Sequence, residues 1–288
     1  MEKDRIVSQN NYFEGETMEM KKNKLSNLLF ITAIVIYIAN VLGILLTVII
    51  NSISKGWFSG VMPKIYTTEW YKYAANEHNI LRLLGVTFFV VTVVVVASII
   101  IAYPAAYVMA RHDFKFKGII MTLFLLPMLI PPMTYGVPLA TLLLRLRLPN
   151  LLCVILANLV PIIPFMILII TPFIEQVGAN IESAAKMLGA GKRTIFFRLL
   201  IPLTLPGILT AGILSIVKAI SAFELTYLIA TGNSMTLVVA LYSDAFAAGA
   251  RPMQAIDALA VIYFTIALTC LVIALKFVNP TQMVFKIK

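Results

Sequence analysis

Apolar residues run almost without interruption through most of this chain, and short polar, basic or proline-rich stretches cut them into segments. Leu28 to Ile50 is the first long run. About 20 such residues in a helix suffice to cross a hydrocarbon core about 30 Å thick. Further runs extend from Leu81 to Met109, Ile119 to Leu143, Leu151 to Phe173, Gly207 to Ala230 and Leu259 to Val278. In lipid every backbone polar group must be satisfied within the segment, so runs of this length predict helices. The pattern therefore predicts an all-α polytopic membrane protein with six transmembrane helices. Pro127, Pro131 and Pro132 must bend or break the third helix, because proline removes a ladder donor and its ring clashes with the preceding turn. Pro161 and Pro164 in the fourth are tolerated where neighbouring helices satisfy the freed carbonyls, which places that helix inside a bundle.

The segments between the runs define the remaining organisation. Residues 1–27 carry five basic and five acidic residues and lack the apolar stretch of a cleavable signal, so the first span is expected to act as an uncleaved signal anchor. Residues 51–80 hold Trp57, Tyr66, Trp70, Tyr71 and Tyr73, a density expected of an interfacial aromatic belt with a short amphipathic helix on the outer surface. Residues 81–278 form a five-helix core that includes the loop 175–206, and 279–288 form a C-terminal tail. Between the last two spans, Leu237 to Tyr242 predicts a partial helix.

Glu175 to Pro206 is the only long charged loop late in the chain. Asn180 can cap a helix starting at Ile181. Glu182 then lies in the first turn, where negative charge suits the dipole, and Ser183 to Leu188 propagate the helix until Gly189 and Gly191 end it. Ile181, Ala184, Ala185 and Leu188 recur at helical spacing and give a narrow apolar stripe with small residues at its middle. Periodicity leaves two readings open, a docking helix for a partner and an amphipathic connector lying on the membrane surface.

Composition agrees with the membrane assignment: 60% hydrophobic and 12% charged residues, with a mean hydropathy of +0.95. The net charge of +10 sits in short loops beside apolar runs, and no basic stripe alternates with aromatics as a nucleic-acid groove requires. With the N-terminus inside, fifteen lysines and arginines fall on the cytoplasmic side against seven outside, so both termini and the 175–206 loop are expected in the cytoplasm. Cys153 and Cys270 lie in apolar segments and His78 and His112 are isolated, so no metal site is expected and no cofactor is implied. Gly189-Ala-Gly191-Lys192-Arg193 lacks both the leading glycine and the Ser/Thr of a phosphate loop, and no nucleophile–base pair is evident; an enzyme is not expected.

Ionisable residues inside spans are costly and point to function. Lys218 and Glu224 qualify, and with Ser215, Ser221 and Tyr227 they recur every three residues. On one continuous helix each step turns by about 60°, which gives a spiral polar stripe that lipid cannot comfortably cover. The stripe reads either as the lining of a translocation path or as polar glue between helices.

Glu182-Ser-Ala-Ala-Lys-Met-Leu-Gly-Ala190, followed by Phe196 or Phe197 and by Ile201-Pro202-Leu-Thr-Leu-Pro206-Gly207, resembles the EAA loop of permease subunits of type I ABC importers. Ala184, Ala185, Leu188, Gly189, Ala190, Pro202 and Pro206 fall on the family pattern. Ser183 departs from it, standing where the family has glutamate, with Glu182 one residue earlier. Tyr103-Pro-Ala-Ala-Tyr-Val-Met-Ala-Arg111, Phe223-Glu-Leu-Thr-Tyr-Leu and Phe277-Val-Asn-Pro-Thr-Gln282 are similar to the spermidine/putrescine subgroup.

The resemblance implies the type I importer permease fold in a bacterial plasma membrane, with the 180–189 helix coupling to the ATPase through Glu182, Ser183, Ala184, Ala185, Leu188, Gly189 and Ala190. It implies two cytoplasmic ATP-binding subunits, a second permease (the same chain or a paralogue), an extracytoplasmic substrate-binding protein, and alternating access driven by ATP. It favours a polyamine or similar cation, with which Glu224, Asp244 and Asp257 are compatible; sugars and organophosphorus solutes are the alternative within the family. A gradient-driven secondary carrier is the alternative of another class, although no inverted repeat relates 28–143 to 151–278 and a carrier needs no docking loop.

Overall fold

The structure is a computed structural model that describes residues 2–57, 60–246 and 251–277, with side chains described from residue 26 onward except at His78, Ala274 and Phe277. The described residues form helices and one isolated bridge. Two compact units emerge, 1–67 and 68–288.

In the first unit, α1 runs Glu2–Ser52, and its Ser26–Ser52 part is long and apolar enough to cross a membrane. Beyond it the chain doubles back around the bridge between Ser54 and Tyr66. The Lys55 amide donates to Ile65 O at 2.9 Å and Thr67 to Ile53 O at 2.7 Å.

In the second unit, α2 (Glu69–His78) is the short helix expected in the aromatic stretch. It ends at Asn79 in the left-handed region (φ 46°), and α3 (Ile80–Arg111) follows at once. The third predicted span is two helices, α4 (Lys117–Leu129) and α5 (Pro132–Arg145), meeting at 95°. The cause is local: a residue preceding proline is pushed out of the helical region, and Ile130 and Pro131 are both extended, at ψ 134° and 129°. α6 (Asn150–Gln176) stays one helix despite Pro161, Pro164 and Pro172.

Then come α7 (Ala179–Met187), α8 (Lys192–Thr194), a π-turn at Ile195–Leu200 and α9 (Ile201–Ile220), the last three forming one apolar helix from Lys192 to Ile220. α10 (Glu224–Ile229), α11 (Leu237–Phe246) and α12 (Met253–Phe277) complete the described chain. Among the described residues five helices are long and apolar enough to cross a membrane unaided, and the count reaches the expected six if the bent α4–α5 pair is one span.

α3, α6 and α9 pack together at the centre. Ala102 and Ala106 of α3, Val154, Ala157 and Met166 of α6, and Ala211 of α9 are fully buried. Small residues set the approach, as is usual where apolar solvent gives helices no reason to associate except packing. A Cβ on Gly207 would come within 2.6 Å of Phe173 Cβ, so only glycine lets α9 pass over that ring. On the α3 side of α9 the hydroxyls of Tyr103 and Thr204 share a 2.9 Å hydrogen bond.

Two expectations are corrected. The predicted fifth span, Gly207 to Ala230, begins at Lys192 and stops at Ile220; a break at 221–223 precedes α10. Neither Gly nor Pro marks the break. It accompanies the burial of Leu225, Thr226 and Ile229, with α10 packed against α5 and α6. The loop helix begins at Ala179, with Gly178 ahead of it in extended conformation and no side-chain cap, so Asn180 lies inside the first turn rather than capping. The expected tail 279–288 and the Phe277–Gln282 resemblance beyond Phe277 lie outside the described residues.

Candidate functional site

Two places bring polar chemistry together. The first begins at the end of α3, where Tyr103, Tyr107 and Arg111 share one face at four-residue spacing. Arg111 Nε donates to Glu182 Oε1 at 2.6 Å, the Tyr107 hydroxyl donates to Glu182 Oε2 at 3.1 Å, and Arg111 Nη2 donates to the carbonyl of Val177. One arginine thus ties α3, the end of α6 and α7. Glu182 was expected to serve the helix dipole, but its main partner is Arg111, 71 residues earlier.

Burial decides the weight of this pair. The Arg111 and Glu182 side chains are 11% and 6% exposed, the regime in which removing one partner costs about 3–5 kcal/mol. The Lys117–Asp113 pair at 3.0 Å has a 99% exposed carboxylate and belongs with surface pairs worth about 0–1 kcal/mol. Phe196 backs the clamp, its ring 5.3 Å from Tyr103 and 5.7 Å from Tyr107, both edge-on. It sits in the π-turn, whose extra residue per turn re-aims side chains locally.

With Glu182 turned inward, α7 presents another face outward. Ser183, Ala184, Leu188 and Gly189 are exposed, Ala185 and Ala190 half-buried. Leu188 is 88% and its neighbour Met187 83% exposed, and Ile181 45%. Gly189 adopts φ +84°, the left-handed terminator the sequence predicts, which a β-branched residue cannot occupy without strain. Met187, missed in the sequence, widens the apolar patch.

The second place is a cavity of 270 Å³ where two helix breaks meet, lined among others by Pro127 and Pro132, Asn158, Lys218, Ser221 and Glu224. The predicted polar spiral is thereby divided. Lys218, Ser221 and Glu224 share the cavity, whereas Ser215 is fully buried elsewhere with no partner for its hydroxyl among the described residues. Tyr227 instead joins a ring cluster, 5.3 Å from Phe223 and 5.0 Å from Tyr242. Lys218 Nζ lies 4.9 Å above the Phe165 ring, a cation–π contact. Among the described residues no ion pair joins it to Glu224.

Asn158, which sequence reasoning missed, is 2% exposed. Its Nδ2 donates to Val154 O at 2.8 Å and to Thr226 Oγ1 at 2.9 Å, bridging α6 to α10. A single amide between Cys153 and Pro161 in an otherwise apolar span was the available signal. Asp244 does not line the cavity: it is buried and paired with Arg251 Nε at 3.2 Å, and Asp257 does not line it either. No group of three or more potential metal ligands occurs among the described residues.

The family described as binding-protein-dependent transport system inner membrane component matches residues 102–283. The sulfoquinovosyl glycerol transport system permease protein SmoH of Agrobacterium fabrum is 31% identical over 170 residues, 59% of this chain and 58% of that protein. Protein LplC of Bacillus subtilis is 30% identical over 152 residues, 52% of this chain and 50% of that protein. The molybdate/tungstate transport system permease protein WtpB of Pyrococcus abyssi is 26% identical over 167 residues, 57% of this chain and 67% of that protein. The matched part thus spans about half the length of the first two relatives. Among solved structures, a bacterial ABC transporter involved in import of the acidic polysaccharide alginate superposes with a TM-score of 0.71 at 17% identity, over 90% of this chain and 98% of that one, an agreement in fold.

Proposed function

The chain belongs to the family of binding-protein-dependent transport system inner membrane components and has the all-α type I importer permease fold, and from that premise we propose that α7 docks a separate ATP-binding subunit while the cavity beside Lys218 and Glu224 lies on the solute path. The observation that carries the first part is the two-sidedness of α7, with Glu182 bolted to Arg111 and Leu188 and Met187 left exposed. A connector lying on the bilayer would need the same apolar face but not the buried ion pair that fixes its orientation.

In this reading residues 81–278 are the translocating core, working beside a second permease, and both termini and the 175–206 loop face the cytoplasm, as the basic-residue bias favours. Closure of two ATP-binding subunits moves α7; the clamp passes that motion to α3 and α6, and the pathway changes the side to which it opens. A substrate-binding protein delivers the solute from outside. ATP hydrolysis belongs to the partner.

We place the solute among sugars or oxyanions rather than polyamines. SmoH and WtpB are named for sulfoquinovosyl glycerol and for molybdate or tungstate, and Asp244, which would have served a cation, is paired with Arg251. Affinity purification tests the docking role: an ATPase should accompany the native chain and be lost when Ala184 and Gly189 are both changed to glutamate. Purification of the native chain without an ATPase, or an unchanged complex in the variant, overturns it and favours the secondary carrier.

A further inference from the structure

The cavity contains an ammonium and a carboxylate that do not neutralise each other. Lys218 has an aromatic face for company and no anion among the described residues, and an unpaired ammonium within a membrane span is costly. Glu224 lines the same cavity without a cationic partner among the described residues. Asn158 lines the same cavity, and its amide orientation is fixed. Nδ2 must face the Val154 carbonyl, which can only accept, so Oδ1 is the free end; it is buried and no donor reaches it among the described residues. A buried acceptor without a donor costs about 1–3 kcal/mol. The Ser221 hydroxyl already donates to Val217 O at 3.1 Å and offers its lone pairs.

This set has one cationic donor and three acceptors, the complement of a solute with one anionic group and several hydroxyls. Resting on the reading of this cavity as part of the solute path, we propose that it selects a polyhydroxylated solute carrying a single anionic group, such as an acidic sugar. Lys218 takes the anion, and Asn158 Oδ1 and Glu224 take hydroxyl donors. A carboxylate and an ammonium in one cavity orient the solute, because its anionic group is drawn to Lys218 and repelled from Glu224. An inorganic oxyanion would satisfy Lys218 but leave Oδ1 unpaired, and a neutral sugar would do the reverse.

The test is thermal stabilisation of the purified transporter complex, with and without a non-hydrolysable ATP analogue, by four probes: glucuronate, glucose, sulfate and spermidine. Ligand at free concentration L that binds only the folded state stabilises it by RT ln(1 + L/Kd), so melting temperatures at several ligand concentrations yield the affinity. Glucuronate should bind at least about tenfold more tightly than the other three, and Lys218→Gln and Asn158→Leu should each weaken it by about tenfold or more. Thr226→Val removes the Asn158 bridge but leaves Oδ1 in place, and should keep glucuronate affinity within about threefold; loss equal to that of Asn158→Leu would make Asn158 helix glue instead. Spermidine or sulfate binding more tightly than glucuronate, no glucuronate binding, or binding indifferent to Lys218→Gln overturns the proposal. Co-purification of the ATPase with each variant separates this failure from failure of the importer reading, which would lose the ATPase already in the native chain.

Discussion

The clamp at the end of α3 and the cavity beside Lys218 treat charge in opposite ways. At the end of α3 the charges are closed on each other: Arg111, Glu182, Tyr107 and the Val177 carbonyl form a nearly buried set with few open valences. In the cavity Lys218, Glu224 and Asn158 Oδ1 are left without a charged or donor partner among the described residues, although an unpaired ammonium in a span is costly. Closed charge fixes one element upon another, and open charge awaits something that is not part of the chain. Burial alone does not distinguish them; the inventory of unmet donors and acceptors does.

Mutation should split the two places sharply. Arg111→Ala strands a buried carboxylate and is expected to cost about 3 kcal/mol or more, read as a lower melting temperature of the complex and loss of ATP-driven uptake. Gly189→Val should cost about 1–3 kcal/mol of local strain at φ +84°. That strain should abolish uptake while membrane insertion, followed by fractionation, stays intact; normal uptake would count against α7 as the coupling element. Lys218→Gln and Glu224→Gln break no ion pair, so calorimetry should find the melting temperature held or raised even as solute binding falls. A loss as large as that for Arg111→Ala would erase the distinction drawn between the two places. Tyr103→Phe removes one neutral hydrogen bond to Thr204 and should lower stability by about 1 kcal/mol with uptake preserved.

What could be read in the sequence followed from local rules. Consecutive prolines at 131 and 132 break a helix wherever they stand, and Gly189 ends one, so the α4–α5 bend and the end of α7 were legible. The break at 221–223 was not, because Ser-Ala-Phe are tolerable helix residues and packing of Leu225 and Ile229 decides the matter. Treating 207–230 as one helix put Ser215 and Tyr227 on the same stripe as Lys218, and the structure separates them. Glu182 was legible as a first-turn acid but not as the partner of Arg111, since no local rule links residues 71 positions apart. The four-residue spacing of Tyr103, Tyr107 and Arg111 marked a shared polar face at a span's end, and the charged loop offers it two acidic residues, Glu175 and Glu182, between which no local rule chooses. Asn158 was not legible because an amide carries no charge to mark it in an apolar run, and its open acceptor follows only from the Val154 and Thr226 contacts of the fold.

If the outward face of α7 receives the ATP-binding subunit, a photocrosslinking amino acid placed at Leu188, 88% exposed in the isolated chain, lies within reach of that partner. In native membranes this probe should give an adduct with an ATP-binding protein, identified by mass spectrometry, whose yield changes when ATP is added, and the same probe at buried Ile195 should give none. Adducts at Leu188 with lipid alone, in membranes that retain the ATPase, would contradict it.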